Sequence, residues 1–316
     1  MNWQALNNDP IVQLTGIILA VTFVVSIIAE YALSKWRRKN YVSSRFLIIN
    51  LLIALLQQLT DLLNKGLFLF GFMYVQTHWS VQYLFGIPEI KPGNILPKAI
   101  SYIAVIIIAD FCQYWLHRFS HQVNIMWAGH ITHHSNTEYN LSVAVRQSAI
   151  EGIYTWVFFL PLAFLGIPWQ IFVAAYAVSL LWQFLVHTRF IHKMGILEKI
   201  MSTPSHHRVH HGVNKQYIDK NYGAFFIVWD KLFNTFEPEV EEVQYGISKP
   251  LSNENPVWTN VHYYVHIFKT LWQAKTLNQK LKVIFGSPAF VPDSVEQPIN
   301  TDITELVFIP QSVEEI

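Results

Sequence analysis

The chain has a single cysteine, Cys112, among its 316 residues. That excludes an internal disulfide and a cysteine-rich zinc or iron–sulfur site, and it fits a reducing compartment. Charge is also scarce: Lys, Arg, Asp and Glu make up 14% of the residues, and 22 basic against 21 acidic side chains leave a formal net charge of +1. Nothing in that balance points to a nucleic-acid partner. Several catalytic signatures are missing too. There is no H-E-x-x-H, hence no zinc metalloprotease general base, no G-x-S-x-G nucleophile elbow, no P-loop and no G-x-G-x-x-G. No internal repeat of about 20–50 residues is visible.

Apolar surface takes the place of charge. Hydrophobic residues are 52% of the chain and aromatic residues 15%, the makeup of a membrane protein rather than a soluble domain. A spanning helix needs about 20 apolar residues, and 11–33 supply them ahead of the basic run Lys35, Trp36, Arg37, Arg38, Lys39. The stretch is too long for a signal-peptide core and lacks a small-residue cleavage pattern. It reads as an uncleaved first span with its basic end in the cytoplasm. A second stretch, 46–75, is interrupted by Gln57, Gln58, Thr60, Asp61, Asn64 and Lys65. Either these face a bundle interior, or a shorter span runs on into an interfacial helix. Residues 76–94, with Pro88, Pro92 and Gly93, read as a loop. A third span covers 96–116, and 152–165 with 168–187 form an apolar helical hairpin. Counted from an outside N-terminus, these spans bring residues 117 and 187 to the cytoplasmic face.

Beyond His211 the chain turns polar and then gives an aromatic segment, 222–239, that reads as an interfacial helix. Residues 258–284, with Lys269, Lys275, Lys280 and Lys282, have a helical pattern: an amphipathic surface helix, or a solvated helix packed on the domain. Past Pro288 the tail carries Asp293, Glu296, Asp302, Glu305, Glu314 and Glu315 and no basic residue, the pattern of a poorly ordered end.

Eleven of the fourteen histidines fall between residues 117 and 211. His117 and His121 stand four apart and share a helix face, and His130 pairs likewise with His133 and His134. The pattern recurs at His206, His207, His210 and His211. His78, His192, His262 and His266 stand alone and read as ordinary core or surface residues. Asp110, about two turns before His117, is either a carboxylate orienting an imidazole or a polar residue near a helix end.

Such clustering points to a metal centre, because neutral imidazole is the commonest ligand for Zn, Fe and Cu. Eight or nine imidazoles are too many for one tetrahedral ion, so two ions sharing the set is the economical solution. Soluble di-iron bundles use Glu-x-x-His, and no clustered histidine here has a glutamate three residues before it. An all-imidazole pair of iron ions would carry positive charge that oxygen ligands can offset, which suits dioxygen chemistry. Bis-histidine haem would need histidines facing one another inside a bundle, whereas these sit as doublets at span ends. A metal carrier would place ligands near mid-bilayer, whereas these keep to one boundary.

HRFSH, HITHH and HHRVHH resemble the H-x-x-x-H, H-x-x-H-H, H-x-x-H-H series of the fatty acid hydroxylase and sterol desaturase superfamily. The intervening WAGHITHHSNTEYNLSVAVRQS, TPSHHRVHHGVNKQYIDKNYG and WDKLFNTFEPE are similar to its alkylglycerol monooxygenase branch, over about residues 97–290. The resemblance implies metal ligation and catalysis by His117, His121, His130, His133, His134, His207, His210 and His211, with His187 a ninth ligand and His206 a tenth. It also implies two iron ions, dioxygen, a lipid substrate drawn from the bilayer, and an electron donor such as tetrahydrobiopterin. The implied reaction is cleavage of a glycerol alkyl ether to a fatty aldehyde. Hydroxylation or desaturation of a sterol, fatty acyl chain or carotenoid is the alternative within the superfamily. The branch commonly has an acidic residue after the first box, where this chain has Gln122. Gln122, Glu138 and Asn140 are the implied cofactor contacts. Glu138, Asn140, Arg146, Asp219, Asn221 and Tyr222 either orient ligands and head groups or serve as caps and loop hydrogen bonds. The animal members continue into further membrane segments.

The expectation is therefore an all-α, multi-span membrane bundle of about four to five spans with a cytosolic histidine-rich di-metal site. Its parts are N-terminal spans over 1–95, a catalytic domain over 96–290 and an acidic tail over 291–316. The expected location is a bacterial inner membrane, or the endoplasmic reticulum if the source is eukaryotic.

Overall fold

The computed structural model describes residues 10–86, 98–248 and 250–292. The acidic tail from residue 293, and the prolines at 88 and 92, lie outside the described residues. Among the described residues the protein is helical, with no β-strand and two isolated bridges, Met201 with Phe226 and Gly212 with Tyr245.

The principal helices are α1 (Pro10–Trp36), α2 (Ser44–His78), α3 (Lys98–Gln122), α4 (Asn124–His134), α5 (Trp169–Leu185), α6 (Pro204–His210), α7 (Pro256–Gln273) and α8 (Leu277–Phe285). Of these, α1 and α3 contain stretches long and apolar enough to cross a membrane, Gly16–Trp36 and Ile100–Gln122. A third candidate, Ser44–Asp61 with Leu63–Phe85, is bent by 46°. Among the described residues two to three helices thus qualify as spans by length and composition, against the four to five expected. The hairpin stretches instead form shorter apolar helices, Gly152–Phe164 and Trp169–Leu185. The first of them is broken by a 3-10 turn, Trp156–Phe159. These segments bury Phe159, Leu162, Ala163, Phe172 and Ala175 against Val105, Ala109 and Cys112 of α3 and Phe72 of α2. Protein thus covers one face of these helices, while Ile153, Val157, Phe164 and Val178 stay bare. On α1, Ile17, Val21, Val24 and Ile28 are bare, as lipid-facing side chains are.

Two corners set the histidine boxes against each other. Val123 is extended between α3 and α4, which turns the chain sharply between the first two boxes. Asn124 pins that corner: its backbone N–H donates to the Gly286 carbonyl at 2.9 Å, its side-chain amide donates to the Val283 carbonyl at 2.7 Å, and it accepts from the Tyr263 hydroxyl at 3.0 Å. The two C-terminal helices therefore brace the site. The second corner is α6, opened by Pro204 at its first turn and a capping box between Thr203 and His206, a reciprocal pairing that satisfies two helix-end donors.

The open choice over residues 258–284 resolves into two faces and two helices. On α7, Tyr263 and Ile267 pack against Ala128 and Ile131 of α4, while Phe268 and Trp272 stay bare, followed by Leu277, Leu281 and Phe285 of α8. The aromatic segment 222–239 is not one interfacial helix. It is a tight turn followed by a short helix, Val228–Leu232.

Candidate metal centre

Nine of the ten sequence-predicted ligands converge. One group is His117, His121, His130, His134 and His210; the other is His133, His187, His207 and His211. Within each group the ligand atoms offered lie within 4.8 Å of one another. The groups adjoin, with the His134 and His211 rings stacked at 4.3 Å. His206 is not in either group. Its Nδ1 accepts from the Thr203 backbone N–H in the α6 capping box, and its ring lies 5.4 Å from Phe236. Adjacent helical residues point about 100° apart, and here His207 faces the site while His206 turns back to the start of α6.

The orientation of each ring is set from behind. Nδ1 of His117 donates to the Tyr222 carbonyl at 2.8 Å, His210 to Lys220 at 2.9 Å, His187 to Gln183 at 2.6 Å and His133 to Arg146 at 3.3 Å. With its one proton committed there, a neutral imidazole presents a lone pair at Nε2. Those Nε2 atoms then face each other: His187 to His133 at 3.2 Å, His207 to His187 at 3.0 Å, His210 to His134 at 3.1 Å and His117 to His130 at 3.1 Å. Lone pairs so placed repel unless a cation lies between them. Two nitrogens held at about 2.0–2.1 Å by one ion, at angles between about 90° and 109°, are about 2.9–3.4 Å apart. The donor set therefore fits a pair of metal ions, five imidazoles to one and four to the other.

Burial also keeps the rings neutral. It holds His133, His134, His207 and His211 well below the ordinary histidine range, neighbouring imidazoles adding to the effect, and brings His187 to about 4 and His210 to about 3. A ring that resists protonation at neutral pH keeps its lone pair for a metal.

The supports lie far off in sequence. Asp110 does not touch an imidazole. It accepts from the backbone N–H groups of Phe225 and Phe226 at 2.8 and 3.0 Å and from the Trp229 indole at 2.9 Å. Asp230 accepts from the N–H groups of Tyr222 and Gly223 at 2.8 and 2.7 Å. Together they fix the turn whose Tyr222 carbonyl orients His117. Gly223 is required there, because a Cβ would sit 2.5 Å from the Phe226 carbonyl oxygen. Asn221, at φ 56°, ties the same turn to the His206 and Glu237 carbonyls.

Glu138 and Asn140 bind the second box to the membrane helices. Glu138 accepts from the Ser43 N–H at the start of α2 at 2.9 Å, and Asn140 donates to the Tyr41 carbonyl at 2.9 Å. Arg146 is fully buried and donates to the Thr132 carbonyl, Asn50 and the Ser135 hydroxyl. Gln122 and Asp219 instead line a cavity of about 380 Å³ together with Trp127, His121, His134 and His210. Two supporting groups escaped sequence reading: Glu30, which accepts from the Thr188 hydroxyl and the Leu141 N–H at 2.6 Å each, and Glu151, 3.2 Å from Nδ1 of His130. A carboxylate inside a span was a usable signal for Glu30; Glu151 had none.

Residues 102–235 match the fatty acid hydroxylase family. An alkylglycerol monooxygenase of Homo sapiens is 36% identical over 289 residues, 91% of this chain and 62% of that protein. One from Xenopus tropicalis is 38% identical over 259 residues, 82% of this chain and 56% of that protein. An ornithine lipid hydroxylase of Rhizobium tropici is 30% identical over 155 residues, 48% of this chain and 47% of that protein. The chain thus spans roughly six tenths of the alkylglycerol monooxygenases it matches. No solved structure matches it.

Proposed function

The chain carries a fatty acid hydroxylase domain and is homologous to alkylglycerol monooxygenases, and from that footing we propose that it is a membrane di-iron monooxygenase that cleaves glycerol alkyl ethers. The observation that carries the reading is the convergence of nine imidazoles, eight of them on buried residues, beside a cavity partly lined by four of the nine. The catalytic unit is residues 96–290.

His117, His121, His130, His134 and His210 would hold one iron ion and His133, His187, His207 and His211 the other. Bound there, the pair would supply activation of dioxygen. The overall reaction balances as follows: a C–H bond next to the ether oxygen, O2, two electrons and two protons give a hemiacetal carbon and water. The hemiacetal then breaks its C–O bond to release a fatty aldehyde and the glycerol hydroxyl. The two electrons come from a reductant of the tetrahydrobiopterin class, and Gln122 and Asp219 on the cavity wall are the polar groups available to it or to the glycerol head group.

The protein's own residues perform the positioning. The carbonyls of Tyr222, Lys220, Gln183 and Arg146 hold the rings, and burial keeps water and protons from the lone pairs. An apolar C–H bond offers no polar handle, so the position oxidised depends on where the lipid chain stops relative to the imidazoles. The basic run 35–39 ends α1, and the loop that follows it contacts Asn140 and Glu138, which supports a cytoplasmic site in a bacterial inner membrane, or in the endoplasmic reticulum of a eukaryote.

Purified protein given a 1-O-alkylglycerol, reductant and O2 should release fatty aldehyde in step with oxygen uptake. Product from a sterol, carotenoid or free fatty acid, with none from the ether, would reassign the substrate within the same chemistry.

A further inference from the structure

Four rings of the centre lean on neutral partners. The outer nitrogens of His117, His133, His187 and His210 donate to backbone carbonyls. His130 differs. Its Nε2 faces those of His117 and His134 at 3.1 and 3.2 Å, and its Nδ1 lies 3.2 Å from Glu151 Oε1. Both side chains are little exposed, at 9% and 13%. Asp219 is the other carboxylate near a ligand ring, but it stands 3.6 Å from His121 Nδ1 and is 49% exposed, outside hydrogen-bond range and screened by solvent. Among the described residues Glu151 is thus the largely covered carboxylate hydrogen-bonded to a clustered imidazole.

Its surroundings are built for it. Gly129 stands one residue before His130, and a Cβ there would lie 2.8 Å from the Tyr154 hydroxyl, 3.2 Å from the Tyr264 hydroxyl and 3.3 Å from the Glu151 Cβ. The missing side chain lets these polar groups pack close behind the ring. Tyr154 spends its hydroxyl on the Met126 carbonyl, while Glu151 Oε2 and the Tyr264 hydroxyl have no protein partner.

We propose that Glu151 is a positioning residue that fixes His130 with Nε2 toward the five-histidine group and lends that group a negative charge, so that the two metal positions differ in affinity and potential. This rests on the function proposed above. A carboxylate behind a ligating histidine sets the ring's tautomer and raises its basicity, and losing such a partner costs about 10–100-fold in metal affinity. The four-histidine group, whose outer contacts are carbonyls and Gln147, has no such charge. Its iron is the more weakly held and the more easily reduced.

The test compares full-length wild type, E151Q and E151A in detergent by iron content under chelator challenge, Mössbauer spectra and redox titration, with thermal unfolding as a folding control. Wild type should hold two iron ions with distinct spectra and potentials. In E151Q the amide oxygen still accepts from Nδ1 but carries no charge, so both ions stay, and one signal shifts while its potential rises. In E151A one ion should dissociate about 10–100-fold more readily, with the other unchanged. E151A keeping wild-type affinity, spectra and potentials would overturn the inference alone, as would equal loss of both ions from E151Q and E151A. Wild type without metal would overturn the proposed function and this inference with it.

Discussion

Nδ1 of His117 and the carbonyl oxygen of Tyr222 are 105 residues apart in the chain and 2.8 Å apart in the fold. One member of the first histidine box is therefore held by a turn that begins eleven residues after the third box ends, and that turn is held in its own place by Asp110 and Asp230. The proposed metal centre would thus depend on residues outside both histidine groups.

Gly223→Ala follows directly. Its Cβ would meet the Phe226 carbonyl oxygen at 2.5 Å and an Asp230 carboxylate oxygen at 2.7 Å. Overpacking of this kind costs about 1–3 kcal/mol, and it should displace the Tyr222 carbonyl. The variant should show a lower unfolding temperature and less bound metal than wild type.

His133→Ala and His210→Ala should each abolish turnover and release metal, since each removes a ligand from one of the two groups. His206→Ala should keep its metal, because that ring caps α6. His262→Ala should also keep it, because its Nδ1 is paired with the Thr259 carbonyl. Metal analysis of the four purified variants separates the sets; full metal in the His133 variant would refute the ligand assignment.

The Arg208–Glu239 pair locks α6 onto the segment after His187. The guanidinium donates to both carboxylate oxygens at 2.7 Å and to the Thr188 and Ile191 carbonyls. Removing one partner of a buried pair costs about 3–5 kcal/mol; Glu239 is 20% exposed, so Glu239→Ala should sit near the low end, about 3 kcal/mol. Denaturant or thermal unfolding in detergent measures it.

Acid should weaken the metal-free protein. Burial lowers His187 from 6.5 to about 4 and His210 from 6.5 to about 3. Below pH 6.5 the unfolded chain takes up protons that the folded chain refuses, so the unfolded state binds more protons and stability falls with pH. The contribution is complete above 6.5 and is lost as pH drops through about 4 and then 3. Unfolding temperatures recorded with chelator from pH 8 to about pH 4 should decline on the acid side; a flat or rising profile would contradict the burial of neutral rings.

Much of this site was legible because helical spacing is local. His117 with His121, and His130 with His133 and His134, share faces by residue count alone; the structure keeps His117 with His121 and His130 with His134, and gives His133 to the other group. The 206/207 doublet was not resolvable, since spacing does not say which neighbour turns inward. Asp110 lay on a meaningful face, but two of its three partners are backbone N–H groups 115 and 116 residues away, and a backbone amide leaves no mark in a sequence. Glu151 was illegible for the same reason of distance. The hairpin at 152–187 was legible as two apolar helices, Gly152–Phe164 and Trp169–Leu185, but not how much of each packs on protein, because an apolar run buried in protein has the same composition as one facing lipid.

The direct measurement of the central claim is the metal content and coordination of anaerobically purified full-length protein, by elemental analysis and X-ray absorption. Two iron ions per chain with an imidazole-dominated nitrogen shell is the predicted result. One ion or none per chain, or a shell of sulfur or haem nitrogens, would contradict it.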